Sequence, residues 1–259
     1  MTSCLHSGDG RPRLWRGRAG YGGVLCYQLL MRPFGIGPAV TTVLTLMVAG
    51  CAHPPAPKPP AAPAQSPPSN TAAVNPANIK RVVRDLPPGY EVTTGIPVAA
   101  APKVIWGLAA DARAKPPRCA VLADPGNGRD QSAQGVSGSG SGGIVDAVVV
   151  ALPEPVDFPR DLLGACQQWS EAAGHTTVRV RLTDGPHIDG VETLGMVADI
   201  TSSVESGTEI DSRSYTFIAY LGDYYAFTTL TTDPGAAVPV LPPQFAADLL
   251  AKTVSTLRS

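Results

Sequence analysis

Histidine is scarce in this chain, with four among 259 residues. His6 precedes residue 51 and His53 sits in a proline run, so only His175 and His187 remain for imidazole chemistry. No H-E-x-x-H, G-x-S-x-G or G-K-[ST] motif occurs, which removes the spacings by which metalloproteases, α/β-hydrolases and P-loop enzymes are read. No cofactor is expected, and no enzymatic activity. Basic residues are also few where they would count. Five of the 20 Lys and Arg (Arg11, Arg13, Arg16, Arg18 and Arg32) and one of the 21 Asp and Glu (Asp9) precede residue 51. The remainder carries 15 basic against 20 acidic residues, a net charge of −5 with no arginine-rich arm, so nucleic acid is not an expected partner. Long apolar runs are missing too. The charge-free stretch 34–50 is broken by Gly35, Gly37 and Pro38, and falls short of the ~20 apolar residues a spanning helix needs.

That short run is the most informative stretch present. It ends in Leu46-Met47-Val48-Ala49-Gly50-Cys51, small residues leading to a cysteine, as a leader-processing groove requires. Met31-Arg32 supplies a positive start and Phe34 to Val48 an apolar centre, so residues 31–50 read as a lipoprotein signal peptide. Cys51 is then the lipidated first residue of the mature chain. Residues 1–30 read as an extension ahead of the true start, or else as a genuine cytoplasmic extension. Residues 51–74 form a tether, with eight prolines and five alanines between 52 and 70. Such a composition buries no core and favours polyproline II, reaching roughly 70 Å from the membrane at about 3.1 Å per residue. The expected location is the outer face of the cell membrane, held by the lipid.

Of the five cysteines, Cys4 and Cys26 precede the processing site and Cys51 carries the lipid. Cys119 and Cys166 remain, an even pair in an exported and oxidising setting, and a disulfide between them is expected. The alternative is two buried free thiols. Chain entropy puts such a bridge at about 4 kcal/mol.

The folded part, residues 75–259, reads as one α+β domain. Asn75 caps a helix opened by Pro76, with Ile79, Val82, Val83 and Leu86 on one stripe. Tyr90 to Thr94 reads as a strand, and 104–108 as a short strand or packed loop. The Gly/Ser-rich run 124–143 is expected to be a surface loop or wide hairpin connection. Ile144 to Leu152 should be a central strand. A second helix is expected from Asp157 to Gly174, with Leu162, Cys166 and Trp169 on one face. The strand 176–182 precedes a meander of 193–204, 208–221 and 224–232, with turns at Ser206-Gly207 and Gly222-Asp223. Pro242-Pro243 introduces a last helix with Ala246, Leu249, Leu250, Thr253 and Leu257 along one stripe. The whole reads as an antiparallel sheet with helices packed on it and a single disulfide.

Three local patterns are candidate sites. Gly138, Gly140 and Gly143 spell G-x-G-x-x-G but precede a strand, whereas the dinucleotide fingerprint follows one. Asp184, His187 and Asp189 offer metal-ligand atoms, but flanking Asp-Gly pairs read as tight turns, and no metal is expected. Tyr215 and Phe217 share a strand face, as do Tyr225 and Phe227. They are candidate lining for an apolar ligand cavity between sheet and helices, or else core.

The lipobox Val48-Ala49-Gly50-Cys51, the Pro/Ala tether and the opening Ile79 to Tyr90 resemble mycobacterial lipoproteins. Cys119, Cys166-x-x-Trp169, the late meander and the final helix also resemble the extracellular sensor domain of a mycobacterial membrane serine/threonine kinase. That resemblance covers residues 75–259 and implies an α+β module with a ligand cleft. The chain departs from it in having one possible disulfide and no kinase. The expected function is a membrane-anchored binding or sensor-like module for a lipid, a cell-wall fragment or a partner protein. Alternatives are an envelope hydrolase with dispersed catalytic residues and a structural accessory lipoprotein. Replacing Cys51→Ala is predicted to move the protein from the membrane to the soluble fraction in a fractionation blot; unchanged membrane recovery would contradict the anchor.

Overall fold

The computed structural model describes residues 73–96, 100–204, 206–237 and 239–259. The expected extension 1–30, the leader 31–50, Cys51 and the tether up to residue 72 lie outside the described residues.

Nine strands form a single antiparallel sheet: β1 (Glu91–Thr94), β2 (Arg113–Lys115), β3 (Ser132–Gly140), β4 (Gly143–Ala151), β5 (Gln168–Ala173), β6 (Thr176–Thr183), β7 (Glu192–Ser203), β8 (Glu209–Tyr220) and β9 (Tyr224–Thr232). Their spatial order is β1-β3-β4-β9-β8-β7-β6-β5-β2. The expected α+β class with one disulfide is what the chain adopts. The meander β7-β8-β9 falls within a residue or so of its expected bounds because its turns are carried by Gly207 and Gly222, both at positive φ.

Alternation sorts each strand's side chains into two cores. On one face, Val145, Ala147 and Val149 of β4 meet a C-terminal helix, Pro243–Leu257, and an N-terminal helix, Pro76–Asp85. These helices pack on each other and together cover β3, β4, β8 and β9. The N-terminal one is capped as expected, with the Ala77 N–H donating to the Asn75 side chain. It is wound as a 3-10 helix rather than an α-helix. Three residues per turn stack Ile79 directly over Val82, which are buried, and leave Val83 half-exposed. The Asn75 N–H donates to the Leu257 carbonyl at 2.8 Å, so the chain enters the fold beside the end of the C-terminal helix.

On the other face, Val148, Val150, Tyr225 and Phe227 lie under irregular chain with short helical turns at Pro102–Ile105, Ala120–Ala123 and Arg160–Leu163. Cys119 and Cys166, both buried, are bridged with their Cα atoms 5.6 Å apart.

Two expectations are corrected. The Gly/Ser run is not simply a loop: its second half is β3, paired with both β1 and β4. The glycines sit where neighbours come too close for a side chain. A Cβ at Gly138 would lie 2.9 Å from Leu86, and one at Gly140 only 2.4 Å from the Tyr90 ring. The second helix shrinks to one turn, and 168–173 is strand β5. Trp169 and Glu171 point inward there, and a buried glutamate breaks the apolar alternation that would have marked the strand. Gly174, at φ 55°, ends no helix but turns the β5–β6 hairpin.

The bridge cross-links two parts of this layer across 47 positions of chain, Cys119 just ahead of the turn Ala120–Ala123 and Cys166 two residues before β5. Replacing both Cys119 and Cys166 by Ser is predicted to lower stability by about 2–4 kcal/mol in chemical denaturation. An unchanged unfolding midpoint would show that the bridge does not hold this layer.

Candidate functional site

The register of β8 and β9 decides where the four aromatic candidates stand. Phe217 pairs with Thr228 and Tyr215 with Leu230, whereas Phe227 pairs with Ile218 and Tyr225 with Tyr220. Directly paired residues share a face, so Tyr215 and Phe217 look toward the C-terminal helix and Tyr225 and Phe227 look the opposite way. The structure brings them together in twos, not as a four. Tyr225 and Phe227 are fully buried, stacked at 6.2 Å between centroids, with the Tyr225 hydroxyl donating to the Ala100 carbonyl. Burial pushes that hydroxyl's pKa well above its ordinary value.

Tyr215 and Phe217 line a cleft of about 440 Å³, together with Val197, Thr183, Asp184 and the start of the C-terminal helix at Pro243, Gln244 and Ala247. The helix begins here, and among the described residues no helix packs on β5, β6 or β7 beyond the rim of this cleft. That bare half carries a row of paired positions running across five strands, Lys115–Ser170–Arg179–Asp199–Arg213. The next row is Gln168–Arg181–Val197–Tyr215. Arg113, Lys115, Arg179 and Arg181 are exposed, and none has an ion-pair partner among the described residues. Asp199 is engaged by Arg213, whose Nε donates to it at 2.6 Å. Lys115, Gln168, Ser170, Arg179, Arg181 and Asp199 surround a second hollow of about 530 Å³. Arg181, on the wall of the second hollow, is the cross-strand partner of Val197, on the wall of the first.

Strict alternation makes Arg179 and Arg181 look like ordinary solvated residues, which hides this arginine face in the sequence.

Elsewhere, a cleft of about 810 Å³ is lined by the far ends of β4 and β8 and the turn after β9, with Ile144, Ile210 and Val240 exposed beside Glu209, Asp211 and Asp233. Under the other face, Lys103 and Asp124 form a buried pair at 2.8 Å near Glu171, which accepts from the Trp169 indole at 2.9 Å. Burial raises the Glu171 carboxyl's pKa; that indole bond and Lys103 oppose the rise, and Asp124 adds to it. Lys103 and Asp124 belong to the covering layer, and Glu171 and Trp169 to β5. Asp184 belongs to the first cleft, while His187 and Asp189 are almost fully exposed and 3.1 Å apart. Among the described residues no group of three His, Cys, Asp or Glu is placed to hold a metal ion. Gly138 and Gly140 lie inside β3, and Gly143 begins β4 at a φ of 125°.

A family profile described as Domain of unknown function (DUF5642) matches residues 75–258. No curated protein sequence matches the chain. Among solved structures, the Rv0999 ortholog of Mycobacterium smegmatis aligns with a TM-score of 0.53 at 19% identity, over 73% of this chain and 100% of that one. The extracellular domain of PknH from Mycobacterium tuberculosis aligns with a TM-score of 0.37 at 13% identity, over 73% and 93%. The resemblance to mycobacterial proteins, a kinase's extracellular domain among them, is met by these neighbours. At 19% identity the likeness to the Rv0999 ortholog is one of fold.

Asp146 of β4 is buried, and its carboxylate accepts from Thr229 at 2.7 Å. Desolvation raises its pKa against the bonds from Ser137 and Thr229. A raised carboxyl pKa contributes stability that is complete below the unfolded value and lost as pH rises through the folded one. Asp146→Asn is therefore predicted to gain on the wild type as pH rises from about 4 to 7, in parallel thermal melts. A difference that shrinks with rising pH would contradict this.

Proposed function

The chain belongs to the DUF5642 family, and from that premise we propose that it is a lipid-anchored binding module of the cell envelope. The observation that carries the reading is the uncovered half of one sheet face, with a groove where it meets the C-terminal helix. An antiparallel sheet can leave a face to water, but here Val197, Tyr215 and Phe217 wall a groove beside arginines that have no ion-pair partner among the described residues. The larger cleft at Ile144 and Ile210 is built from strand ends and a turn, whereas the groove is floored by three adjacent strands that hold its side chains rigidly. The ligand classes that suit this groove are a lipid, a cell-wall fragment or a segment of a partner protein.

Anchoring rests on Cys51, and the placement outside the cytoplasmic membrane is supported by the buried Cys119–Cys166 bridge, since such bonds persist in oxidising compartments. That placement also keeps the arginine face away from nucleic acid.

Gln244 is exposed and lines the groove, so Gln244→Trp should fill it without disturbing either core. Protein purified from the envelope is predicted to carry a bound mass in native mass spectrometry that Gln244→Trp loses. Equal spectra for wild type and variant would sink the assignment of the groove.

A further inference from the structure

We propose that the groove takes an anionic amphiphile, with a phosphate or carboxylate head on Lys115, Arg179 and Arg181 and an alkyl tail along Val197, Tyr215, Phe217 and Ala247. This rests on the binding-module reading and adds the ligand's chemistry to it. Three observations carry it.

The first is charge segregation. The chain from residue 51 onward is net −5, yet the bare half of the sheet gathers Arg113, Lys115, Arg179, Arg181 and Arg213. The nearest acid, Asp199, is already held by Arg213 at 2.6 Å. Asp211 accepts from Thr201 at 2.8 Å, one row further along, and Asp184, three residues beyond Arg181, lines the apolar cleft. Like-charged side chains placed together without partners repel, and an anion bound among them removes that cost.

The second is spacing. Arg179 and Arg181 are two residues apart on one strand, hence about 7 Å, and Lys115 lies two strands from Arg179, hence about 10 Å. Long cationic side chains at those separations converge on a single head group. Gln168 and Ser170 stand between them as neutral donors.

The third is how abruptly the surface changes. Arg181 is paired with Val197 and Val197 with Tyr215, so charge gives way to apolar side chains within one strand spacing, about 4.8 Å. A flat polyanion would need cations all along its length. Here a hollow of about 530 Å³ walled by Arg181 lies beside one of about 440 Å³ walled by its cross-strand partner Val197, which suits a molecule polar at one end only.

The test is calorimetric titration of the full-length Cys51→Ala chain with monomeric octyl phosphate, inorganic phosphate and octyl glucoside. Octyl phosphate is expected to bind roughly tenfold or more tighter than either, since charge-assisted bonds and tail burial both contribute. Arg179→Ala with Arg181→Ala, both on exposed positions, should bring octyl phosphate down to the level of octyl glucoside with the melting temperature unchanged. Gln244→Trp should bring it down to the level of inorganic phosphate. Co-sedimentation with phosphatidylglycerol vesicles in the absence of salt, lost in the double variant, would place the head group in a bilayer; binding of octyl phosphate without co-sedimentation would place it in a free amphiphile. If octyl phosphate and octyl glucoside bind equally and Gln244→Trp abolishes both, the groove binds ligands but the anionic head is wrong. If octyl phosphate binding is unchanged by the double variant, the proposal is overturned.

Discussion

Nine strands spaced about 4.8 Å apart make a sheet roughly 40 Å wide, and two helices lying side by side cover only about 20–24 Å of it. That mismatch of widths organises the molecule. The C-terminal and N-terminal helices bury β3, β4, β8 and β9 on one face and have nothing left for β5, β6 and β7. The uncovered strands accordingly alternate Val178 and Val180 inward with Arg179 and Arg181 outward. Where covered and bare halves meet, Tyr215 and Phe217 are part core and part wall of a groove.

The opposite face meets the same problem differently. It is covered by irregular chain, with short helical turns that cannot stand alone. Three devices hold it down: the Cys119–Cys166 bridge, the buried Lys103–Asp124 pair beside Glu171, and Trp106, whose indole donates to Thr216 at 3.2 Å. The Trp106 bond reaches β8 directly, whereas the bridge and the ion pair cross-link the layer itself, and removing one partner of the buried pair would leave an uncompensated charge. The helical face is left to bear the groove.

Much of this architecture was legible in the residues. The meander, β4, the C-terminal helix and the cysteine pairing follow from alternation, turn glycines, a proline-led apolar stripe and parity. Among the elements not foreseen, β3 and β5 were hidden for physical reasons. The strand β3 is rich in glycine because Leu86 and Tyr90 crowd it, and glycine carries no strand signal. The strand β5 hides a glutamate in its inward row, and Leu162, Cys166 and Trp169 happen to fall at helical spacing. Of the site, the Tyr215 and Phe217 half was visible as an aromatic cluster. Its separation from Tyr225 and Phe227 depends on cross-strand register, which pairs Phe217 with Thr228 and not with Phe227. The arginine half depends on which strands the helices fail to reach, a tertiary fact with no local trace.

The central claim is that the uncovered half-face is where this molecule meets its ligand. Backbone amide shift mapping by NMR, with material extracted from the envelope added to the purified chain, tests it most directly. The account predicts perturbations gathered at Arg179 to Arg181, Val197, Tyr215 and Gln244. Perturbations gathered instead at Ile144, Ile210 and the turn after β9, or spread over no one surface, would contradict it.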